Sequence, residues 1–146
     1  MPKLIRPLLA VLVLLFLTSG AISLRSGTSP TLGGYRPTLT SGLDGGIYAV
    51  HYRDLVAIDR GGHASRVGGV PPGTALAMVS VGADLILGTE HGIYRWTSSG
   101  QQWSPLPGLP MAKFSALADQ GQFIIASAWS VGIWVSNDAG LSWTRA

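Results

Sequence analysis

A repeat of about 40 residues constrains the fold of this chain more than any other feature of its sequence. One copy spans residues 76–110 and the next spans residues 114–146, and each contains four short apolar or alternating segments in the same order. An earlier, more degenerate copy matches the second, third and fourth of these segments within residues 46–67. Short segments of this kind, bounded by glycine and proline, are typical of β-strands joined by tight turns.

The spacing of the copies predicts the architecture. The third segments begin near Leu55, Ile93 and Ile133, which are 38 and 40 residues apart, and four strands in about 40 residues make one β-propeller blade. Proline-rich runs separate the copies, where proline would end one sheet before the next begins. We therefore predict an all-β partial propeller of about three four-stranded antiparallel blades. Their expected bounds are about 37–70, 75–110 and 113–146.

The composition excludes several classes of protein. The 146 residues include 20 glycines and 9 prolines, which suits many turns, and no cysteine. Disulfides, cysteine-ligated zinc, iron–sulfur clusters and a lipidated cysteine are therefore excluded. The formal net charge of +3 falls to +1 once Lys3 and Arg6 are set aside with the N-terminal segment. This balance gives no support for nucleic-acid binding.

The N-terminus predicts export. Lys3 and Arg6 precede an unbroken apolar run at residues 8–17, and Ser19 and Ala21 place small residues at the −3 and −1 positions of a possible cleavage site. The alternative is an uncleaved anchor, because residues 7–24 carry no charge and just reach spanning length.

Both alternatives place the rest of the chain outside the cytoplasm, since the positive flank stays inside. We therefore expect residues 1–24 to form a hydrophobic signal-peptide or signal-anchor helix and residues 25–36 to form a linker. The expected location is periplasmic or extracellular, as in an exported bacterial protein, with possible membrane attachment through residues 7–24.

The most specific motif is the stretch SNDAGLSW near the end of the chain. It places Ser136, Asp138, Gly140, Ser142 and Trp143 at the five defining positions of the pattern Ser-x-Asp-x-Gly-x-(Ser/Thr)-Trp. Aspartate and serine side chains accept hydrogen bonds from turn N–H groups, glycine tolerates positive φ, and tryptophan can bury a large ring. We therefore interpret the motif as a structural turn and assign it no catalytic role.

The motif resembles the Asp-box, or BNR repeat, found in sialidases, sortilin-type receptors and photosystem II assembly factors. The second copy keeps a decayed version, TSSGQQW, with Gly100 and Trp103, and the first copy keeps only Asp59 and Gly61. The resemblance implies a β-propeller in which each box joins the third and fourth strands of a blade. It also implies that ligands bind on the opposite face, where the second and third strands are joined.

The turns between the second and third segments carry the candidate ligand-binding residues. Aromatic and hydrogen-bonding side chains gathered on one face would suit a sugar or a peptide, whereas the alternative is that they are ordinary solvated loops. The candidates are His51, Tyr52, Arg53, Glu90, His91 and Trp129. No metal site and no cofactor are predicted.

The resemblance leaves two classes of function open. The first is a non-catalytic binding or scaffolding module for a glycan or protein partner. The alternative is a fragment or subunit of a sialidase-like glycoside hydrolase, for which Arg53 and Arg95 are candidate arginines, although a solvated outward position explains Arg95 equally well. Three blades are fewer than the four to eight of a closed propeller, so further blades or a homo-oligomer would be needed to complete a ring.

Overall fold

The computed structural model describes residues 38–42 and 45–146, which form β-strands joined by short turns. Proline and glycine in the connections and alternating apolar residues in the strands account for this pattern. The strands are β1 (Thr38–Ser41), β2 (Ile47–His51), β3 (Asp54–Ile58), β4 (Ala64–Gly69), β5 (Ala75–Val81), β6 (Asp84–Thr89), β7 (Gly92–Thr97), β8 (Gln102–Pro105), β9 (Phe114–Gln120), β10 (Phe123–Ala128), β11 (Gly132–Ser136) and β12 (Thr144–Arg145).

The strands form three antiparallel sheets of four, in the orders β1-β2-β3-β4, β5-β6-β7-β8 and β9-β10-β11-β12. We call these sheets blades one, two and three. Neighbouring blades meet along their first strands, because β5 contacts both β1 and β9. The predicted all-β fold of three four-stranded antiparallel blades is therefore confirmed.

Two elements differ from the sequence interpretation. Blade one has a first strand, Thr38–Ser41, that the repeat did not reveal, because this strand is short and carries a single apolar residue, Leu39. The fourth apolar segment of the last copy, residues 141–145, predicts a strand that begins at Leu141, but the strand begins at Thr144. The reason is that Ser142 donates its backbone N–H to Asp138, which keeps residues 141–143 in the preceding turn.

Two apolar clusters lie between the blades. The first joins blades one and two and consists of Val50, Leu55, Met78, Leu85, Leu87 and Trp96. The second joins blades two and three and consists of Val79, Val81, Ile86, Ile93, Ala112, Phe114, Ile124, Ala126, Ala128 and Trp143. Each interface is thus a packed sheet-on-sheet contact stabilised by the hydrophobic effect.

Blade two is covered on both faces, and its sequence reflects this. Leu85 and Leu87 point to the cluster shared with blade one, whereas Ile86 between them points to the cluster shared with blade three. The apolar run in β6 follows from this double burial, because alternate side chains face opposite sides of a sheet. Gly88 permits a close approach of blade three to blade two, since a Cβ there would lie 2.7 Å from the carbonyl oxygen of Phe114.

The expected signal or anchor segment, residues 1–24, and the linker, residues 25–36, lie outside the described residues. Among the residues that the structure describes, no helix is long and apolar enough to cross a membrane.

Candidate functional site

The turns between the second and third strands of all three blades lie on one side of the molecule, together with the two connections between blades. Backbone hydrogen bonds establish this arrangement for blades one and two, and the pairing of Ala128 with Phe114 places the β10–β11 turn of blade three beside the end of the second connection. The N–H of Val70, in the first connection, donates to the carbonyl of Arg53 in blade one at 2.9 Å, and the N–H of Glu90 in blade two donates to Thr74 at 3.3 Å. We call this side the loop edge.

In blade one, the β2–β3 turn positions three of the predicted ligand-binding residues. Tyr52 adopts a positive φ of 57°, which tyrosine rarely does outside tight turns. Its ring meets the ring of His51 edge to face, with 4.5 Å between the centroids. Arg53 is exposed and contributes its carbonyl to the bond with the first connection. The three side chains therefore lie at the loop edge, as the sequence predicted.

In blade two, Glu90 and His91 are tied to the first connection. The carboxylate of Glu90 accepts a hydrogen bond from the hydroxyl of Thr74 at 3.0 Å. The ring of His91 lies against Gly73, where an added Cβ would be 2.9 Å from its Cδ2 atom. The hydroxyl of Thr89 accepts the N–H of His91 at 3.1 Å and holds the turn. Glu90 and His91 thus brace this edge and also lie at its surface.

Trp129 in blade three is the most exposed large side chain at the loop edge. The whole of its surface, 100%, is accessible to solvent, whereas tryptophan normally buries most of its area. Met111, in the second connection, is 81% exposed and its sulfur approaches the β6–β7 turn, 3.9 Å from where a Cβ on Gly92 would lie. Trp129 and Met111 are adaptable apolar groups of the kind that partner proteins bind.

The structure groups the six predicted residues on the loop edge but does not assemble them into a metal site. Within residues 38–42 and 45–146, no group of three or more His, Asp or Glu side chains is placed to hold a metal ion. Sequence reasoning missed Met111. Its position directly after the proline-rich run at 105–110 was the available signal, because that run is a connection on the same edge.

The SNDAGLSW motif forms the turn between β11 and β12, on the edge opposite the loop edge. We call it the 136–143 turn. Ser136 donates its hydroxyl to the Oδ1 atom of Asp138 at 2.8 Å and accepts the N–H of Gly140 at 2.8 Å. Asp138 accepts the N–H of Ser142 at 2.8 Å and its hydroxyl at 2.5 Å. Side chains therefore satisfy the backbone donors of the turn.

These hydrogen bonds favour the ionised form of Asp138. The hydroxyl and the backbone N–H of Ser142, followed by the hydroxyl of Ser136, lower the pKa of Asp138 from 3.8 to about 2. A carboxylate whose pKa is this low stays ionised at neutral pH and is a poor general acid. The arrangement suits a structural role for the turn.

The 136–143 turn also packs into the interface between blades two and three. Trp143 is only 8% exposed and belongs to the same apolar cluster as Ile86 and Ile124. Its indole N–H donates to the carbonyl of Gly140 at 3.2 Å. Gly140 has φ +85°, and an added Cβ would lie 2.9 Å from Ile86, so only glycine fits there without a shift. The motif is thus part of the core.

The two degenerate copies form simpler turns. In blade one, Asp59 accepts the N–H of His63 at 2.9 Å, and this bond is the largest cause lowering the pKa of Asp59. In blade two, Trp103 donates its indole N–H to the carbonyl of Gly69 in blade one at 2.8 Å. Trp103 therefore links two blades, whereas the equivalent bond of Trp143 stays within its own turn.

Arg95 is not a solvated outward residue, and it does not lie at the loop edge. Its guanidinium donates to the carboxylate of Asp84 at 2.9 Å and to the carbonyl of Ala139 at 3.0 Å. The side chains of Arg95 and Asp84 are only 17% and 22% exposed. Arg95 therefore joins blade two to the 136–143 turn of blade three, which removes it as a candidate substrate-binding arginine.

Comparison with solved structures identifies the fold. The chain is similar to a chain in the crystal structure of the mitotic checkpoint complex, with a TM-score of 0.58 and 9% identity over 88% of this chain and 49% of that one. It is also similar to YCF48 bound to D1 peptide, with a TM-score of 0.57 and 14% identity over 74% of this chain and 38% of that one.

Both neighbours are β-propeller proteins, so the three sheets are propeller blades. The chain spans about half or less of each neighbour's length. No protein-family model matches the sequence, and no curated protein matches it.

Proposed function

We propose that this chain is a non-catalytic, protein-binding propeller module whose loop edge holds a segment of a partner protein. The observation that carries the proposal is that Trp129 is completely exposed and that Met111, at the same edge, is 81% exposed. A large apolar side chain left in water contributes nothing to folding, but it becomes a source of affinity when a partner covers it.

The polar residues of the loop edge also suit a polypeptide partner. Arg53, Glu90 and His91 place charged and polar groups at the same edge, which gives the apolar anchors the polar rim that protein interfaces usually have. The bracing of Glu90 by Thr74 holds part of this rim in place before binding, which lowers the entropic cost of association.

The comparisons support the same class of partner. One structural neighbour is part of the mitotic checkpoint complex, and the other is bound to a D1 peptide. Both are therefore propellers found with polypeptide partners, although at 9% and 14% identity the likeness is one of fold. We extend only the class of ligand, a polypeptide, to this chain.

The predicted export signal and the resemblance to the Asp-box repeat complete the proposal. A module exported by residues 1–24 would meet its partner in the periplasm or outside the cell, or at the membrane if residues 7–24 remain attached. The Ser136-to-Trp143 spacing supports kinship with Asp-box propellers.

A glycan is the second candidate ligand, because an exposed tryptophan such as Trp129 can also stack on a sugar ring. The glycosidase alternative is weaker. Its arginine cluster would need Arg95, whose guanidinium is already bound by Asp84.

The test is a binding selection followed by a matched pair of variants. Peptides selected from a displayed library on the whole chain would be measured by calorimetry against the wild type, Trp129→Ala and Leu141→Ala. Leu141 is 68% exposed but lies on the 136–143 turn, away from the loop edge, so it controls for exposed apolar area. We expect Trp129→Ala to weaken binding about 30-fold, as loss of a hot-spot side chain does, and Leu141→Ala to leave it unchanged.

Equal binding by Trp129→Ala and the wild type would refute the loop edge as the site. A glycan array run in parallel separates the two ligand classes. Sugar binding that depends on Trp129, without any peptide binding, would replace the protein-binding proposal with the glycan alternative.

A further inference from the structure

Among the residues that the structure describes, the first and last blades each present a largely apolar sheet face that no other blade covers. Strand register assigns the side chains, because directly opposed residues point to the same face. The outer face of blade one carries Leu39, Ile47, Val56 and Ile58. The outer face of blade three carries Phe123, Ile125, Ile133 and Val135. Leu39, Ile47, Phe123 and Ile133 are among the exposed large hydrophobic residues of the described chain.

These two faces are the complementary halves of the interface that already occurs twice inside the chain. The second residue of the third strand is Leu55 in blade one, Ile93 in blade two and Ile133 in blade three. Leu55 and Ile93 are 0% and 3% exposed because the next blade covers them, whereas Ile133 is 48% exposed. Ile133 therefore occupies a core position of the repeat that no blade within the described residues covers.

The internal interfaces show which two faces meet. Leu55 shares its cluster with Leu85 of blade two, and Ile93 shares its cluster with Ile124 of blade three. Leu85 and Ile124 occupy the same place in the second strands of their blades, four residues before the last residue that pairs with the third strand. The residue at that place in blade one is Ile47, on the outer face.

We propose that blade three of one copy binds blade one of a second copy, so that the face that carries Ile133 packs on the face that carries Ile47, as the faces of Ile93 and Ile124 meet between blades two and three. The contact is heterologous, since it joins two different faces, and such contacts form a ring when the rotation closes. The residues of β9 and β10 on the outer face of blade three are uncharged, and the two charged residues on the outer face of blade one, Asp54 and Arg66, form an ion pair with 2.7 Å between Oδ1 and Nε. Neither face therefore brings an unpaired charge into the contact, which would be costly to desolvate.

The size of closed propellers is consistent with two copies. Two copies would contribute six blades, within the range of about four to eight that closed propellers use. The chain also covers 49% of one similar propeller chain and 38% of the other. A ring of two copies would place two loop edges around one channel. This inference stands on the end faces alone and does not depend on what the loop edge binds.

The experiment uses two lysine variants of the whole chain, alone and mixed. Ile133→Lys places an unpaired charge on the face of blade three and leaves blade one intact, and Ile47→Lys does the reverse. Sedimentation equilibrium of the wild type should show a dimer. Each variant alone should dissociate at least about 30-fold more readily, because an unpaired charge in an interface is costly. Leu141→Lys is the control, since Leu141 is exposed but lies on neither end face.

Mixing distinguishes this contact from other modes of association. Each variant retains the face that the other has lost, so an equimolar mixture should recover a dimer held by one intact interface. Circular dichroism of each variant verifies that the fold is retained.

Three results would overturn the proposal. The first is a monomeric wild type at every soluble concentration. The second is a dimer that only one of the two substitutions disrupts, which would indicate like faces in contact. The third is association that neither substitution weakens, as contact through the apolar segment at residues 8–17 would give.

Discussion

Replacing Trp143 with alanine should destabilise the fold more than the same replacement of the exposed Trp129. Trp143 lies in the apolar cluster between blades two and three and is 8% exposed. Its ring contacts the turn glycine, since a Cβ on Gly140 would lie 3.7 Å from the Cζ2 atom of Trp143. Truncation would therefore leave a cavity at the junction of the two blades.

The expected loss in the free energy of unfolding is about 3–5 kcal/mol, the usual cost of truncating a buried tryptophan to alanine. Most of it comes from lost burial. The hydrogen bond to the carbonyl of Gly140 is 3.2 Å long and contributes about 0.5–1.5 kcal/mol. Trp143→Phe keeps most of the apolar contact and loses this bond, so it should cost about 1 kcal/mol.

The measurement is urea denaturation followed by far-ultraviolet circular dichroism, because tryptophan fluorescence changes when the residue itself is removed. Trp129→Ala is the matched control, since it makes the same chemical change at a side chain that is 100% exposed. It should change the stability by less than about 0.5 kcal/mol. A similarly small change for Trp143→Ala would show that the ring is not buried and would refute this account of the 136–143 turn.

Three further predictions test the turn and its contacts. Gly140→Ala should lower the free energy of unfolding by about 2 kcal/mol or more, because φ is +85° and the new Cβ would clash. Gly82 is the control, with φ +61° and open space around it, and Gly82→Ala should cost about 1 kcal/mol in the same thermal or urea assay. Asp138 has a pKa of about 2 in the folded chain, whereas its ordinary value is 3.8. Its ionised form therefore stabilises the fold above about pH 4, and this contribution is lost as the pH falls towards 2. The urea midpoint of Asp138→Asn should consequently fall less than that of the wild type between about pH 4 and pH 2. Equal slopes would contradict the assigned hydrogen bonds. Arg95→Met should lower the free energy of unfolding by about 1–3 kcal/mol, because it leaves the half-buried carboxylate of Asp84 without its ion-pair partner. Arg66 forms an exposed ion pair, and Arg66→Met should change the stability by about 0.5 kcal/mol or less.

The sequence alone was sufficient to predict the number of blades and the order of their strands. Apolar alternation and turn residues are local properties, and they recur wherever the same four-strand unit recurs. The loop-edge positions of His51, Glu90 and Trp129 could be predicted for the same reason, since turn positions follow from strand order. The first strand of blade one could not, because its single apolar residue, Leu39, leaves no alternation to detect.

Contacts between blades were decided by the tertiary structure. The sequence treats Arg95 as one more outward residue of a strand, but the neighbouring blade brings the carbonyl of Ala139 within 3.0 Å of its guanidinium. Ile93 and Ile133 are the same residue at the same place in the repeat, yet one is 3% exposed and the other 48%. Strand pattern is set by nearby residues, whereas burial depends on whether another blade covers the face, and the pattern of a single blade does not contain that information.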